Sequence, residues 1–265
     1  IQEISQVVKP DIGIITGIGF QHVALFGDME TIIETKFELA EELPKNAALI
    51  VNIDNEYIRK KLQTTHLRQV FGGQANYKLQ ITTYSLEDKN ATIYASDINV
   101  YPERLEFMVR YKNQKEKFEV NLLGRHNVSN ILAAAAGALT VGMSLKDIAL
   151  AARSIPHLPG TMHLRKGEGG ITFIDDSYNA SVDGVKAALA YMAIYKKERR
   201  ILIMPSLIEL GEKGYILHEE LGQVMAKVCD WAFITDAKFR EPISRGWKSV
   251  KGNDNNLQFH TNPKR

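Results

Sequence analysis

The sequence predicts an α/β protein in two parts, each built on a mostly parallel sheet, with a β-rich insert in the first part. Three observations carry this. Apolar runs of strand length alternate with segments of helical period at both ends of the chain. Between them, residues 105–122 change to a period of two. Pro156, Pro159 and Gly160 then interrupt the pattern as the best candidate linker. The 265 residues suffice for one large or two ordinary domains.

Element by element, Asp11-Ile12-Gly13-Ile14-Ile15-Thr16 reads as a short buried strand, and Gly17-Ile18-Gly19 as the turn after it. Gly27-Asp28 opens a helix with Asp28 as its cap, ending near Pro44. Ala47-Ala48-Leu49-Ile50-Val51 is a second buried strand leading to Asn52 and Asp54. A helix from Glu56 to Leu62 and a short strand near Gln69-Val70-Phe71 follow. Leu105, Phe107, Val109 and Tyr111 alternate with polar residues, as do Phe118, Val120 and Leu122 beyond the turn Lys112-Asn113-Gln114-Lys115. This predicts an antiparallel pair with one wet face. Ile81–Tyr84 and Ala91–Ile98, joined by Asp88-Lys89-Asn90, read as a second hairpin. Asn127 then caps an alanine-rich helix, and another helix runs from Leu145 to Arg153. Past the linker the order is strand (Ile171–Ile174), helix (Val182–Tyr195), strand (Arg200–Met204), helix (His218–Val228), strand (Ala232–Thr235). That βαβαβ order predicts a parallel sheet with covering helices.

Composition narrows the function classes. A formal charge of +2 gives no bulk attraction for nucleic acid. Cys229 is alone, so there is no internal disulfide framework, and a reducing compartment is expected. No apolar run reaches the roughly 20 residues of a membrane helix, so no membrane insertion is expected. The chain lacks an initiator methionine and a signal peptide. It opens in mid-pattern on Ile1-Gln2-Glu3-Ile4 and closes on Asn262-Pro263-Lys264-Arg265, which reads as a fragment at both ends.

Several residues can carry chemistry. The helix after Asp28 has its apolar stripe at Met29, Ile32, Ile33, Phe37 and Ala40, and helical spacing puts Lys36 on it. A lysine there either snorkels to water or is partly desolvated, in which case its neutral amine becomes nucleophilic and can take up carbon dioxide as a carbamate. Such a carbamate is an anionic oxygen ligand suited to magnesium. His22 lies in the loop after the first strand, where open α/β sheets gather ligands; it is a metal ligand or an ordinary surface residue. Asn52 and Asp54 follow the next strand, with turn chemistry slightly favoured. Gly124-Arg125-His126-Asn127-Val128-Ser129-Asn130 places amide side chains at a helix mouth, where they either read a base or only cap a closely packed helix. Asp175 and Asp176 sit between a strand and a helix, positioned to bond a ribose or a substrate amine, or to cap the helix.

In order and spacing these segments resemble the Mur ligase family, the ATP-dependent amide-forming enzymes of peptidoglycan precursor synthesis. The matching pieces are Pro10–Thr16, Gly19-Phe20-Gln21-His22, Phe26-Gly27-Asp28, Lys36-Phe37-Glu38, Gly124–Asn130, Asp175-Asp176-Ser177-Tyr178-Asn179-Ala180, and Glu209-Leu210-Gly211-Glu212 with His218. The Asp-Ser-Tyr-Asn-Ala and Glu-Leu-Gly-Glu pieces look most like the branch that adds D-alanyl-D-alanine to UDP-muramoyl tripeptide. The resemblance implies a central ATP-binding domain over 1–158 (mainly parallel sheet plus an antiparallel insert). It implies a Rossmann-like α/β C-terminal domain over 159–265, and both are incomplete. It also implies a cytoplasmic, monomeric ligase that uses ATP and Mg2+, with a UDP-muramoyl peptide and a dipeptide or amino acid acceptor as partners. The reaction passes through an acyl phosphate. By position, Lys36 (as carbamate) and His22 hold magnesium and serve catalysis. His126, Asn127 and Asn130 contact adenine, Asp176 lies near the ribose, and Ser177, Tyr178 and Asn179 shape the dipeptide site.

The chain also departs from the family pattern. The Gly-x-Gly-Lys-Thr/Ser phosphate loop is absent, as are the UDP-substrate domain, the glutamate for the first magnesium and the last C-terminal strands. The chain as it stands is therefore expected to be inactive. Gly17 replaces an asparagine, and Thr161 replaces an arginine that reaches the ATP phosphates, with Arg165 nearby. Ser181-Val182 replaces Asn-Pro, and Pro205-Ser206-Leu207 replaces Gly-Asp-Met. Two rival expectations follow: a Mur-like ligase with another acceptor, and a non-catalytic scaffold relative.

Overall fold

The structure is a computed structural model that describes residues 1–20, 23–63 and 79–260. His22 and the strand expected near Gln69–Phe71 lie outside the described residues. The chain divides into two compact units, Ile1–Gly19 with Asp28–Pro156, and Phe20–Gly27 with His157–Arg265.

The first unit holds α1 (Gln2–Val8) and β1 (Ile12–Ile15); α2 (Val23–Phe26) groups with the second unit. The first unit continues with α3 (Met29–Glu41), β2 (Ala48–Asn52), α4 (Glu56–Gln63), β3 (Gln80–Ser85), β4 (Ile93–Val100), β5 (Leu105–Tyr111), β6 (Gln114–Val120), α5 (His126–Thr140) and α6 (Leu145–Ala152). Its six strands form one sheet in sequence order. β1, β2 and β3 are parallel, with Ile14 opposite Ile50 and Ile50 opposite Thr82. β4, β5 and β6 are antiparallel, with Phe107 opposite Phe118 at the expected hairpin. The phenyl rings of that pair stack at 5.5 Å.

The second expected hairpin is corrected. β3 and β4 run parallel and pair only at Tyr84–Ile93 and Ser85–Tyr94. The Ser85 hydroxyl accepts the Glu87 and Asp88 amides, and Asp54 takes the Leu86 amide at 2.7 Å. These bonds turn the chain after β3, and β4 lies between β3 and β5 in the sheet.

Ala133, Ala135 and Ala136 of α5 are buried, which lets the helix lie close against a core of Ile50, Tyr84, Phe107 and Phe118. The Asp28 cap forms as expected, accepting the Thr31 amide at 2.7 Å. The cap at Asn127 is corrected: α5 already begins at His126, and the residue before it, Arg125, makes no side-chain cap bond. Gly124, at φ +80°, turns the chain early. Gly124 and Arg125 carbonyls then take the Asn127 and Val128 amides, so Asn127 lies inside the first turn.

The second unit contains β7 (His163–Lys166), β8 (Thr172–Asp175), α7 (Val182–Met192), β9 (Ile201–Met204), α8 (Gly214–Val228), β10 (Trp231–Ile234), α9 (Arg240–Lys251) and β11 (Leu257–Phe259). β9, β10 and β11 form a parallel sheet with β10 in the middle. The strand expected to open the βαβαβ array is corrected: β8 pairs antiparallel with β7 in a separate two-stranded sheet. Its partner is the nearest in sequence, reached through a turn in which Gly169 and Gly170 take φ +65° and +79°. α8 starts at Gly214, not at His218, and β11 adds a parallel strand beyond the expected three. The core here gathers Leu189, Leu221, Met225, Ala232, Ile234 and Trp247. Among the described residues, no helix is long and apolar enough to cross a membrane.

Candidate active site

In the first unit the candidate residues collect at the carboxyl ends of the parallel strands, where helix mouths and strand ends expose backbone groups to a ligand. Lys36, on α3, borders a cleft of about 160 Å³ whose lining includes Ile14, Ile15, Thr16 and Gly17. Partial burial of Lys36 is corrected: the residue is exposed. Its neighbours on the stripe, Ile32, Ile33 and Phe37, are buried. Lys36 lies beside β1, the first strand in the sheet order, where Ile14 is itself 38% exposed.

Asn52, at the end of β2, performs the expected turn chemistry and more. Its Oδ1 accepts the Asp54 amide at 3.0 Å. Its Nδ2 donates to the Thr16 carbonyl at 3.1 Å and to the Ser129 hydroxyl at 3.3 Å. Asn55 holds the same turn, donating to the Ile18 carbonyl at 2.8 Å. Asp54 takes the Ser85 hydroxyl and the Leu86 amide, so it is committed to structure.

At the mouth of α5, His126 and Asn127 are half-buried and Asn130 is exposed. Asn127 donates to the Leu123 carbonyl at 2.7 Å and accepts from Asn130 Nδ2 at 3.0 Å. That bond uses one of the two amide hydrogens of Asn130. The other hydrogen and the carbonyl oxygen form the donor–acceptor pair that a base edge requires.

The second unit holds the Asp175–Asn179 group. Asp176 is half-buried and accepts the Met162 amide at 3.0 Å. The Tyr178 amide donates to the Gly160 carbonyl at 3.0 Å, and Gly160 takes φ +73°. A side chain at Gly160 would meet Tyr178 Cβ at 3.2 Å. The linker glycine is thus set by close approach to the candidate segment. Asp175 accepts the Ser177 hydroxyl at 2.6 Å and pairs with Arg165. The Ser177 bond, then the Arg165 charge, hold its carboxyl below the usual range. Ser177 and Asn179 are exposed and Tyr178 is 81% exposed.

Sequence reading missed a second polar junction in this unit. Ser206, after β9, donates its hydroxyl to Asp236 Oδ1 at 2.7 Å and its amide to Oδ2 at 2.7 Å. Asp236 follows β10, so the strand-end rule that picked out Asp54 and Asp176 could have found it. His218, expected only as a helix opener, is fully buried and stacks on Phe239 at 3.8 Å between ring centres. Phe20 and α2 belong to this unit: the Ala24 amide donates to the Glu209 carbonyl at 3.3 Å, and the Lys213 ammonium lies 4.4 Å from the Phe20 ring.

The residues present suit part of a nucleotide. The α5 mouth offers amide groups of the right kind for a base. Among the described residues no group of three or more His, Cys, Asp or Glu side chains stands together, and His22, expected as a magnesium ligand with Lys36, lies outside them.

Two family models match the chain, the Mur ligase middle domain over residues 2–138 and the Mur ligase glutamate ligase domain over residues 162–263. UDP-N-acetylmuramoyl-tripeptide–D-alanyl-D-alanine ligases are similar in sequence. That of Mycobacterium tuberculosis is 26% identical over 235 residues, covering 86% of this chain and 44% of its own. That of Bacillus subtilis is 27% identical over 224 residues, covering 84% and 45%. The chain therefore spans about half the length of these curated relatives. Among solved structures, MurF from Acinetobacter baumannii overlays with a TM-score of 0.82 at 23% identity, covering 98% of this chain and 52% of its own. MurF from Thermotoga maritima in complex with ADP gives 0.77 at 19%, covering 99% and 55%. At these identities the structural likeness is one of fold. With its middle-domain match covering more than half of its residues and its parallel-sheet architecture shared with MurF, the chain belongs to the Mur ligase family.

Proposed function

We propose that this chain forms the central and C-terminal parts of an ATP-dependent ligase that adds D-alanyl-D-alanine to UDP-N-acetylmuramoyl tripeptide. The domain boundary proposed is 1–158 and 159–265, in a cytoplasmic, monomeric protein. The observation that carries the reading is the carboxyl-end junction of the first unit. There Asn52 links the turn beside the Lys36 cleft to the helix mouth bearing Asn127 and Asn130. The sequence similarity of the D-alanyl-D-alanine ligases supports the choice of acceptor.

In this reading ATP supplies the phosphoryl group that activates the peptide carboxylate as an acyl phosphate. His126, Asn127 and Asn130 hold the adenine, and Asp176 serves the ribose. Ser177, Tyr178 and Asn179 present an exposed polar and aromatic surface to the incoming dipeptide. Lys36 borders the cleft, where its carbamate would help hold the cation that offsets developing negative charge. Magnesium, with Lys36 as carbamate and His22 as ligands, belongs to the same proposal on the resemblance alone, because the described donors do not complete a set.

The test is ADP release by the full-length gene product given ATP, UDP-N-acetylmuramoyl tripeptide and D-alanyl-D-alanine. Release that requires both substrates is the expected result. Release with other amino acids but not with the dipeptide overturns the acceptor assignment. A second reading, a non-catalytic relative, draws on the linker region. Thr161 donates its hydroxyl to the Leu158 carbonyl at 2.8 Å, and Arg165 is paired with Asp175. Nucleotide binding without any turnover would favour it.

A further inference from the structure

We propose that Asn52 is a positioning residue whose single side-chain amide clamps the turn after β1 to the mouth of α5. The clamp fixes the spacing between the base-reading and acyl-activating ends of the nucleotide site. This rests on the preceding reading that both places serve one nucleotide.

Turn chemistry accounts for only half of the residue. The Oδ1 bond to the Asp54 amide is one that aspartate makes equally well. The Nδ2 group is what distinguishes asparagine, and it donates to two acceptors, the Thr16 carbonyl and the Ser129 hydroxyl. These lie 36 and 77 residues away in sequence. Each has a neighbour of consequence. Gly17, next to Thr16, lines the cleft with Lys36. Asn130, next to Ser129, stands exposed at the helix mouth. Successive helical residues point about 100° apart, so holding Ser129 toward the strand ends turns Asn130 outward. Asn55 reinforces the other end of the clamp through the Ile18 carbonyl.

The experiment compares full-length wild type, Asn52→Asp, Ser129→Ala and the double variant. It measures affinity for a non-hydrolysable ATP analogue by calorimetry, kcat and KM for ATP in ligation, and the thermal midpoint. Asn52→Asp keeps the Asp54 bond and loses the donors. Nucleotide affinity should weaken about five- to ten-fold in each single variant, the scale of one lost hydrogen bond. The double variant should be little worse, because both changes open the same clamp. Asn52→Asp should lower kcat more than Ser129→Ala does, since only it releases Thr16. Unchanged affinity with a lower thermal midpoint, or losses that simply add, would overturn the clamp. Should Asn52→Asp fail to fold, unchanged affinity in Ser129→Ala overturns it alone. If the affinity pattern appears while wild type makes no dipeptide product, the clamp stands and the proposed reaction falls.

Discussion

His218 Nε2 accepts the Leu207 amide at 3.0 Å, and this bond allows the imidazole only one protonation state. Nδ1 faces the Gly214 carbonyl at 2.6 Å, so Nδ1 carries the proton and Nε2 the lone pair. A second proton would set two donors against each other in a fully buried site. Burial pushes the imidazole below its ordinary value, with the Gly214 bond partly opposing. The folded value lies below the unfolded one, so the group contributes stability at neutral pH. That contribution begins to fade as pH falls below about 6.5 and is lost through the lower folded value. Urea midpoints of the second unit should decline with acid from that point, by at most about 1.4 kcal/mol per pH unit for one proton. His218→Gln should flatten the decline between neutral pH and the carboxylate range. An equal slope in both proteins would refute this role.

Gly246 and Gly222 set how closely α8 and α9 cross. A Cβ on Gly246 would collide with the Glu219 carbonyl, and one on Gly222 with the Ile243 carbonyl. Backbone cannot yield as a side chain tip does. Gly246→Ala should destabilise the second unit by about 3 kcal/mol or more, at the upper end of overpacking costs. Denaturant titration checks this; a change below about 1 kcal/mol would mean the helices separate easily.

Lys36 is exposed, so its removal should leave folding untouched, within about 0.5 kcal/mol. Ligation by full-length Lys36→Ala should nevertheless fall by about a hundred-fold or more, the usual cost of losing a group that answers transition-state charge. Retained activity removes Lys36 from the mechanism.

Asn130 is also exposed, and its bond to Asn127 is local. Asn130→Ala should weaken ATP-analogue binding about ten-fold, the scale of one polar contact, with an unchanged thermal midpoint. Equal binding by wild type and variant would move the adenine elsewhere.

Much of the first unit was legible because its signals are local. The half-buried strand at Ile12–Ile15, the buried strand at Ala48–Asn52, the Asp28 cap and the Leu105–Val120 hairpin each follow from residues close in sequence. Lys36 was placed on the correct helix, but periodicity reports a direction and not what lies there. The structure leaves that lysine exposed beside the cleft that Ile14 and Thr16 line. Asn127 failed as a cap because one glycine at positive φ started the helix early.

The sequence by itself determined the family and the two-part α/β organisation, because strand and helix periods and turn residues are written into short windows. Only the tertiary structure decided how the strands meet. β3 meets its expected partner β4 in parallel and over two pairs rather than as a hairpin, and β8 takes β7 across a glycine turn. It also decided what the polar residues hold: Asn52 reaches Thr16 and Ser129, and Ser206 reaches Asp236. Such bonds join points far apart in the chain, and a buried donor takes whichever acceptor the fold brings within about 3 Å.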